Sequence, residues 1–277
     1  MKLRVTSIQR GCVYDGPGIR TTFFLKGCAL HCPWCCNPET ISKNEEFFID
    51  DSKCLLKQGI NSPICSNCKR IGGVNEISKC PLNVCENVSN DYGVNELLNI
   101  LLKDRAQFVD GGGITISGGE PLLQAQALLP LLKMLKKENI HVAIETTLVA
   151  PYDNFIQLKD YIDLFIVDLK LQKESVLPPG YFEEIKERLE IIRNNGVDTL
   201  YRLVVVSSMV NYVDEVISSL KSLNIDSIQL LKCHNLGGAK YRKLKIGSED
   251  FTCDSQSFAE VSAKISRSNI EVTKYSI

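Results

Sequence analysis

Several things are missing from this sequence of 277 residues. No stretch approaches the roughly 18 consecutive apolar residues of a membrane-spanning helix. The opening, MKLRVTSIQRGCVYDG, holds no apolar core of signal-peptide length. The formal net charge is only -1, so there is no bulk attraction to nucleic acid or to an anionic membrane. There is no low-complexity tract, and no internal repeat beyond a loose alternation of strand and helix patterns. Histidine is scarce, at 3 residues, which leaves few imidazoles for metal binding. These absences leave a cytoplasmic globular protein, with no nucleic-acid or membrane partner expected. With 44% hydrophobic and 23% charged residues, the chain can bury a large core without staples.

What is abundant is cysteine, 12 residues in all. Only Cys233 and Cys253 lie beyond residue 85. A cysteine-rich chain without a secretory signal points to metal binding rather than to disulfides. The body that follows alternates short apolar runs with helical patterns. Strands are expected at 20–26, 113–117, 141–146, 164–170, 200–206 and 227–232. One-faced helical spacing appears at Val94/Leu97/Leu98/Leu101, Leu128/Leu132/Leu135, Tyr181/Ile185/Leu189/Ile192, Val213/Val216/Ile217/Leu220/Leu223 and Phe258/Val261/Ile265. Such alternation predicts an α/β fold with a parallel sheet, and six units are too few for a full eight-stranded barrel. Chemistry in these folds sits at the C-terminal strand ends. Here those ends carry Gly27-Cys28, Gly118-Gly119-Glu120, Glu145-Thr146, Asp168 with Lys170, and His234. Residues 48–90 break the rhythm and read as an inserted, metal-stapled subdomain, with the body made of 1–47 and 91–277.

GCALHCPWCCNPE contains Cys28, Cys32 and Cys35 with three and two residues between them. Thiolates are the natural ligands of iron–sulfur clusters, and three of them leave one iron of a four-iron cluster open for chemistry. Structural zinc prefers two spaced ligand pairs, and His31 is badly placed as a fourth ligand beside Cys32. Cys36 is expected to point away from the cluster.

The triplet, with Trp34 before its last cysteine, resembles the signature of the radical S-adenosylmethionine (SAM) superfamily. The longer stretch DGPGIRTTFFLKGCALHCPWCCNPE resembles the glycyl radical enzyme activating enzymes, the pyruvate formate-lyase activase group. GGGITISGGEPLLQ, HVAIETT, IVDLK and LLKCHNLGGAKYRKL are similar to that family in the same order, so that the resemblance runs over about residues 11–245 apart from the insert. It implies a partial (β/α)6 TIM-type barrel and a [4Fe-4S] cluster on Cys28, Cys32 and Cys35 that cleaves SAM reductively. It further implies hydrogen abstraction from a glycine of a partner glycyl radical enzyme, with electrons from a donor such as flavodoxin or ferredoxin. A radical SAM enzyme acting on a small molecule or peptide is the alternative.

Residue by residue, Gly118, Gly119 and Glu120 match the stretch beside the methionyl amino group of SAM. Trp34 matches the position near the adenine. Asp168 and Lys170 match the DLK motif, Arg202 an arginine near the SAM carboxylate or the substrate, and His234 a histidine near the ribose. Glu145 and Thr146 match an acidic–Thr pair that, with Asp168, holds a monovalent cation near SAM. The insert is similar in part to ferredoxin-like inserts of larger activases. Cys54, Cys65, Cys68 and Cys80 are read as ligands of one auxiliary four-iron cluster, with Cys85 a spare or replacement, or else as a single zinc site. Two segments depart from the family pattern, 171–182 (LQKESVLPPGYF) and 207–211 (SSMVN).

Overall fold

The computed structural model describes residues 1–65 and 80–275. The front of the chain forms β1 (Lys2–Cys12), β2 (Arg20–Leu25), β3 (Phe47–Ile49), β4 (Cys85–Asn87), β5 (Asn90–Gly93) and α1 (Val94–Leu101). The body continues with β6 (Gly113–Gly118), α2 (Ala125–Lys137), β7 (His141–Thr146), α3 (Tyr152–Leu158), β8 (Leu164–Asp168) and α4 (Tyr181–Asn194). It ends with β9 (Asp198–Val205), α5 (Val213–Ser222), β10 (Ser227–Lys232), α6 (Gly238–Leu244), α7 (Ser255–Ser266) and β11 (Glu271–Tyr275).

The main sheet has the order β11-β10-β9-β8-β7-β6-β2-β1-β5. From β2 to β11 every neighbouring pair is parallel, whereas β1 is antiparallel to both β2 and β5. The order ends at β5 and β11, so the fold is the α/β partial barrel expected. All six expected strands are present, and β11 adds a further parallel one. The central strands are buried on both faces: every residue of β6 from Gly113 to Ser117 is buried, as are Val142 to Ile144 and Leu164 to Val167. That is why they read as continuous apolar runs rather than as alternating ones. The helices seal the outer face, as in α4, whose Tyr181, Ile185, Leu189 and Ile192 are all buried at helical spacing. One boundary differs from expectation: β8 stops at Asp168, so Lys170 stands beyond the strand rather than on it. Among the described residues no helix is long and apolar enough to cross a membrane.

Between β2 and β5 the chain leaves the sheet. There β3 and β4 pair antiparallel as a separate two-stranded sheet, in the register Phe47↔Asn87 and Ile49↔Cys85. Above it Cys54, Val84 and Cys85 are buried together, with Cys80, Ile49, Leu56 and Leu82 packed against them. This segment meets the rest of the chain just past the end of α6, where Lys245 donates to Asp51 at 2.6 Å.

Candidate functional site

The cysteine loop begins where β2 ends. Its neck is closed by backbone bonds from Gly27 N to Thr40 O (2.7 Å) and Cys28 N to Ile41 O (2.9 Å). The buried Lys26 straps the far side, donating to Glu39 O (2.7 Å) and to the Glu46 carboxylate (2.6 Å). Inside the loop, Cys35 N donates to Cys32 O at 3.0 Å, a tight turn that brings the second and third cysteines to one side.

The Gly118-Gly119 turn at the end of β6 crosses this neck. Gly119 N donates to Leu25 O, and Glu120 N donates to Gly27 O at 2.8 Å. Gly118 has φ +126, and a Cβ on it would stand 2.2 Å from the Leu25 backbone; one on Gly119 would stand 2.3 Å from Gly27 O. Only glycine lets the two chains come this close.

A cavity of about 550 Å³ opens at these strand ends. Its wall holds Cys28, Cys32 and Cys35 together with Trp34, Gly118 and Gly119. Glu145, Thr146, Asp168, Lys170, Arg202 and His234 line it as well. One expected residue is elsewhere. Glu120 is fully buried outside the cavity, its carboxylate accepting from Thr146 Oγ1 (2.6 Å), Thr147 N (2.8 Å), Thr147 Oγ1 (2.7 Å) and Leu122 N (3.2 Å). It ties the end of β6 to the end of β7. Burial pushes this carboxyl upward, and the four donors pull the other way.

Cys36, expected to point away, lines the same cavity. Sequence reasoning also passed over Asn37, Thr147 and Lys240, which are among the other residues lining it. Lys240 bridges Asn37 (2.7 Å) and Glu39 (2.6 Å), and Gly237 lies so close to Cys36 that a Cβ would meet its Cα at 3.1 Å. The HNLGGAKY segment thus roofs the cysteine loop. The match of LLKCHNLGGAKYRKL to the activase family was the hint of this in the sequence.

The charged groups are held by one another. Lys170 Nζ meets Asp168 Oδ2 at 2.5 Å. Burial works against its ammonium, but Asp168 and then the Cys32 and Cys35 thiols outweigh it and raise its pKa. Asp168 Oδ1 is buried without a partner. Arg202 is ion-paired with Glu145, donates to Tyr14 O, and reaches Gln229 Oε1 at 3.1 Å. Ser117 donates to the other Glu145 oxygen at 2.5 Å. Glu145, Thr146 and Asp168, expected to share a cation, are therefore each already bonded within the protein. Trp34 stacks edge-on against Phe251, at 6.0 Å between ring centres. His234 Nδ1 accepts from Leu236 N at 3.3 Å.

The donor set suits an iron–sulfur cluster. Burial pushes the Cys28 thiol up to about 11 and raises Cys32 and Cys35 as well, so a positive centre must draw them into thiolates. Among the described residues, no three Cys, His, Asp or Glu side chains converge on a single-ion site. A cubane spreads its thiolates around a larger body, and the cavity has room for one with a ligand beside it. Of the second cysteine group, Cys54, Cys80 and Cys85 share the insert's small core, Cys65 closes a short 3-10 turn at Pro63–Cys65, and Cys68 lies outside the described residues.

Comparison with known proteins agrees with this geometry. Residues 14–179 match the family model of a 4Fe-4S single cluster domain. The pyruvate formate-lyase 2-activating enzyme of Escherichia coli (strain K12) is 33% identical over 249 residues, covering 87% of this chain and 80% of that one. The trans-4-hydroxy-L-proline dehydratase activating enzyme of Clostridioides difficile is 32% identical over 272 residues, covering 87% of each chain. Among solved structures, Streptococcus suis SuiB bound to precursor peptide SuiA shares the fold, with a TM-score of 0.53 at 15% identity over 90% of this chain and 46% of that one. With the cysteine triplet, the glycine turn and the cavity between them, this chain belongs to the glycyl radical enzyme activating enzymes and is a radical SAM activating enzyme with a 4Fe-4S cluster.

Proposed function

We propose that Cys28, Cys32 and Cys35 anchor the cluster in the 550 Å³ cavity, and that SAM lies across it to activate a partner glycyl radical enzyme. Held by these three cysteines, a reduced cluster would supply the one-electron reductive cleavage of SAM to methionine and a 5′-deoxyadenosyl group able to take a hydrogen atom. The chain's own residues bind and orient. The Gly118-Gly119 backbone receives the methionyl amino group, and Arg202 offers its guanidinium to the carboxylate or the substrate. Trp34 packs on the adenine, and His234 meets the ribose. Lys170, held by its ion pair with Asp168, keeps its ammonium protonated beside the thiolates. A monovalent cation would find Asp168 Oδ1 as its remaining protein oxygen. The carrying observation is that one cavity is lined by the three cysteines and by every expected SAM contact except Glu120.

In the same reading the substrate is a glycine Cα of a separate protein. Glycine lacks a Cβ and can thread a close approach, and its radical is delocalised over the flanking amides. Residues 48–90 form an inserted subdomain carrying an auxiliary four-iron cluster on Cys54, Cys65, Cys68 and Cys80, with Cys85 in reserve. A donor such as flavodoxin or ferredoxin supplies the electron, and the protein works in the cytoplasm without nucleic acid or membrane. The test is anaerobic incubation of the reconstituted enzyme with SAM, dithionite and a partner labelled with deuterated glycine. Deuterium in 5′-deoxyadenosine together with a glycyl EPR doublet is expected. Deuterium arriving only from a small metabolite or a modified peptide would overturn the reading.

A further inference from the structure

The cysteine loop has two faces. A second recess, of about 450 Å³, lies against it and is lined by His31, Cys32, Pro33, Ile41, Tyr241 and residues 247–249. Cys32 and Ile41 belong to the walls of both hollows. At Cys32 the protein between the SAM cavity and the outer recess is one residue thick. His31 is exposed there, and Tyr241 braces the loop from α6 with its hydroxyl 3.5 Å from Pro33 O.

The surroundings are unevenly charged. On α6, Lys240 is neutralised by Glu39, and Lys245, just past its end, by Asp51. The next two residues after Tyr241, Arg242 and Lys243, are exposed, and Lys243 shares its charge with Asp50 only at a distance beyond an ion pair. Glu249 is the one acidic side chain in the recess wall.

We propose that this recess is where the electron enters: the docking site of a one-electron carrier protein whose prosthetic group is rimmed by acidic residues. This rests on the proposed reading of Cys28, Cys32 and Cys35 as cluster ligands. The donor loses one electron and the cluster gains one, with no bond formed or proton moved. Electron transfer weakens steeply with distance, so the face on which a ligand residue, Cys32, itself forms part of the wall is the favoured approach. Opposite charge at Arg242 and Lys243 speeds encounter and fixes orientation, and salt screens it.

The experiment follows reduction of the reconstituted enzyme's cluster by stopped-flow absorbance, with reduced flavodoxin or with dithionite, and measures flavodoxin affinity by calorimetry. Arg242→Glu/Lys243→Glu should slow reduction by flavodoxin at least tenfold at low ionic strength, weaken its binding by a similar factor and flatten the salt dependence. Dithionite reduction and dithionite-driven SAM cleavage should stay at the parent level. Glu249→Lys should tighten flavodoxin binding, and Ser248→Trp, which fills the recess, should weaken it. If the double variant binds and accepts electrons from flavodoxin as the parent does, the proposal is wrong, and electrons enter elsewhere, with the cysteine-rich insert next in line. If dithionite fails to support SAM cleavage in the parent itself, it is the functional reading that fails, and the docking site can still be judged by binding.

Discussion

The carboxylate of Glu120 is predicted to be a structural tie whose loss costs stability before it costs cofactor binding. It accepts four bonds, two from backbone N–H groups of Leu122 and Thr147 and two from the hydroxyls of Thr146 and Thr147. In Glu120→Ala the hydroxyls can turn to other partners, but the two buried N–H groups cannot. Each unmet donor costs about 1–3 kcal/mol. Part of this is returned, because a buried carboxylate no longer has to be desolvated. A net loss of about 3 kcal/mol follows, which for a chain of this size lowers the melting temperature by roughly 6–12 °C. Glu120→Gln keeps one carbonyl acceptor but turns an amide NH2 toward donors, so it should rescue less than half of the loss. The assay is far-UV circular dichroism melting under anaerobic conditions, paired with SAM titration by calorimetry. An Ala variant melting within about 2 °C of the parent would refute the tie. One that melted normally but lost SAM would put the side chain at the ligand instead.

Further outcomes are expected. Replacing Cys28, Cys32 or Cys35 with Ala should abolish SAM cleavage, because two remaining thiolates cannot anchor the cluster; undiminished 5′-deoxyadenosine from Cys32→Ala would sink that assignment. Replacing Cys65 and Cys68 together should lower iron from roughly eight to roughly four per chain while SAM binding persists, and zinc in anaerobically purified protein would contradict it. Asp168→Ala and His234→Ala should each weaken SAM binding by about 1–3 kcal/mol without loss of the first cluster, read by calorimetry beside iron analysis. Gly119→Ala should disrupt the loop neck, since its Cβ would meet Gly27 O at 2.3 Å; a normally folded variant with parental SAM affinity would argue against the close crossing.

The parts legible in the sequence were those where burial repeats with a fixed period. All six inner strands and the helices at 94–101, 125–137, 181–194, 213–222 and 255–266 carry unbroken apolar runs or one-faced spacing. β1 was missed because only Leu3 and Val5 of its 11 residues are buried; its outer half is exposed and shows no alternation. α6 was missed because it starts on Gly238 after Gly237 and carries mostly polar residues, so little in its composition marks a helix. The cavity residues were legible through motif spacing, because thiolate ligands and close glycine turns limit which residue can stand where. Side-chain direction was not. Whether Glu120 faces a ligand or a nest of donors, and whether Cys36 faces in or out, depends on neighbours 20 or more positions away.

One contact bears on the order in which the molecule can be assembled. Arg202 grips the carbonyl of Tyr14 across 188 positions of sequence. Next to it Asp15 is held by Thr22 at 2.6 Å and by Thr115 at 2.7 Å, so the floor of the cavity is a piece of the N-terminus pinned by strands made at very different times. Closing so long a loop is slow, and the contact rewards the chain only once both ends exist. A nascent chain therefore carries all three cysteines long before β9 has emerged to complete the chamber around them. During that interval the thiols stand open to oxidants and to stray metal ions.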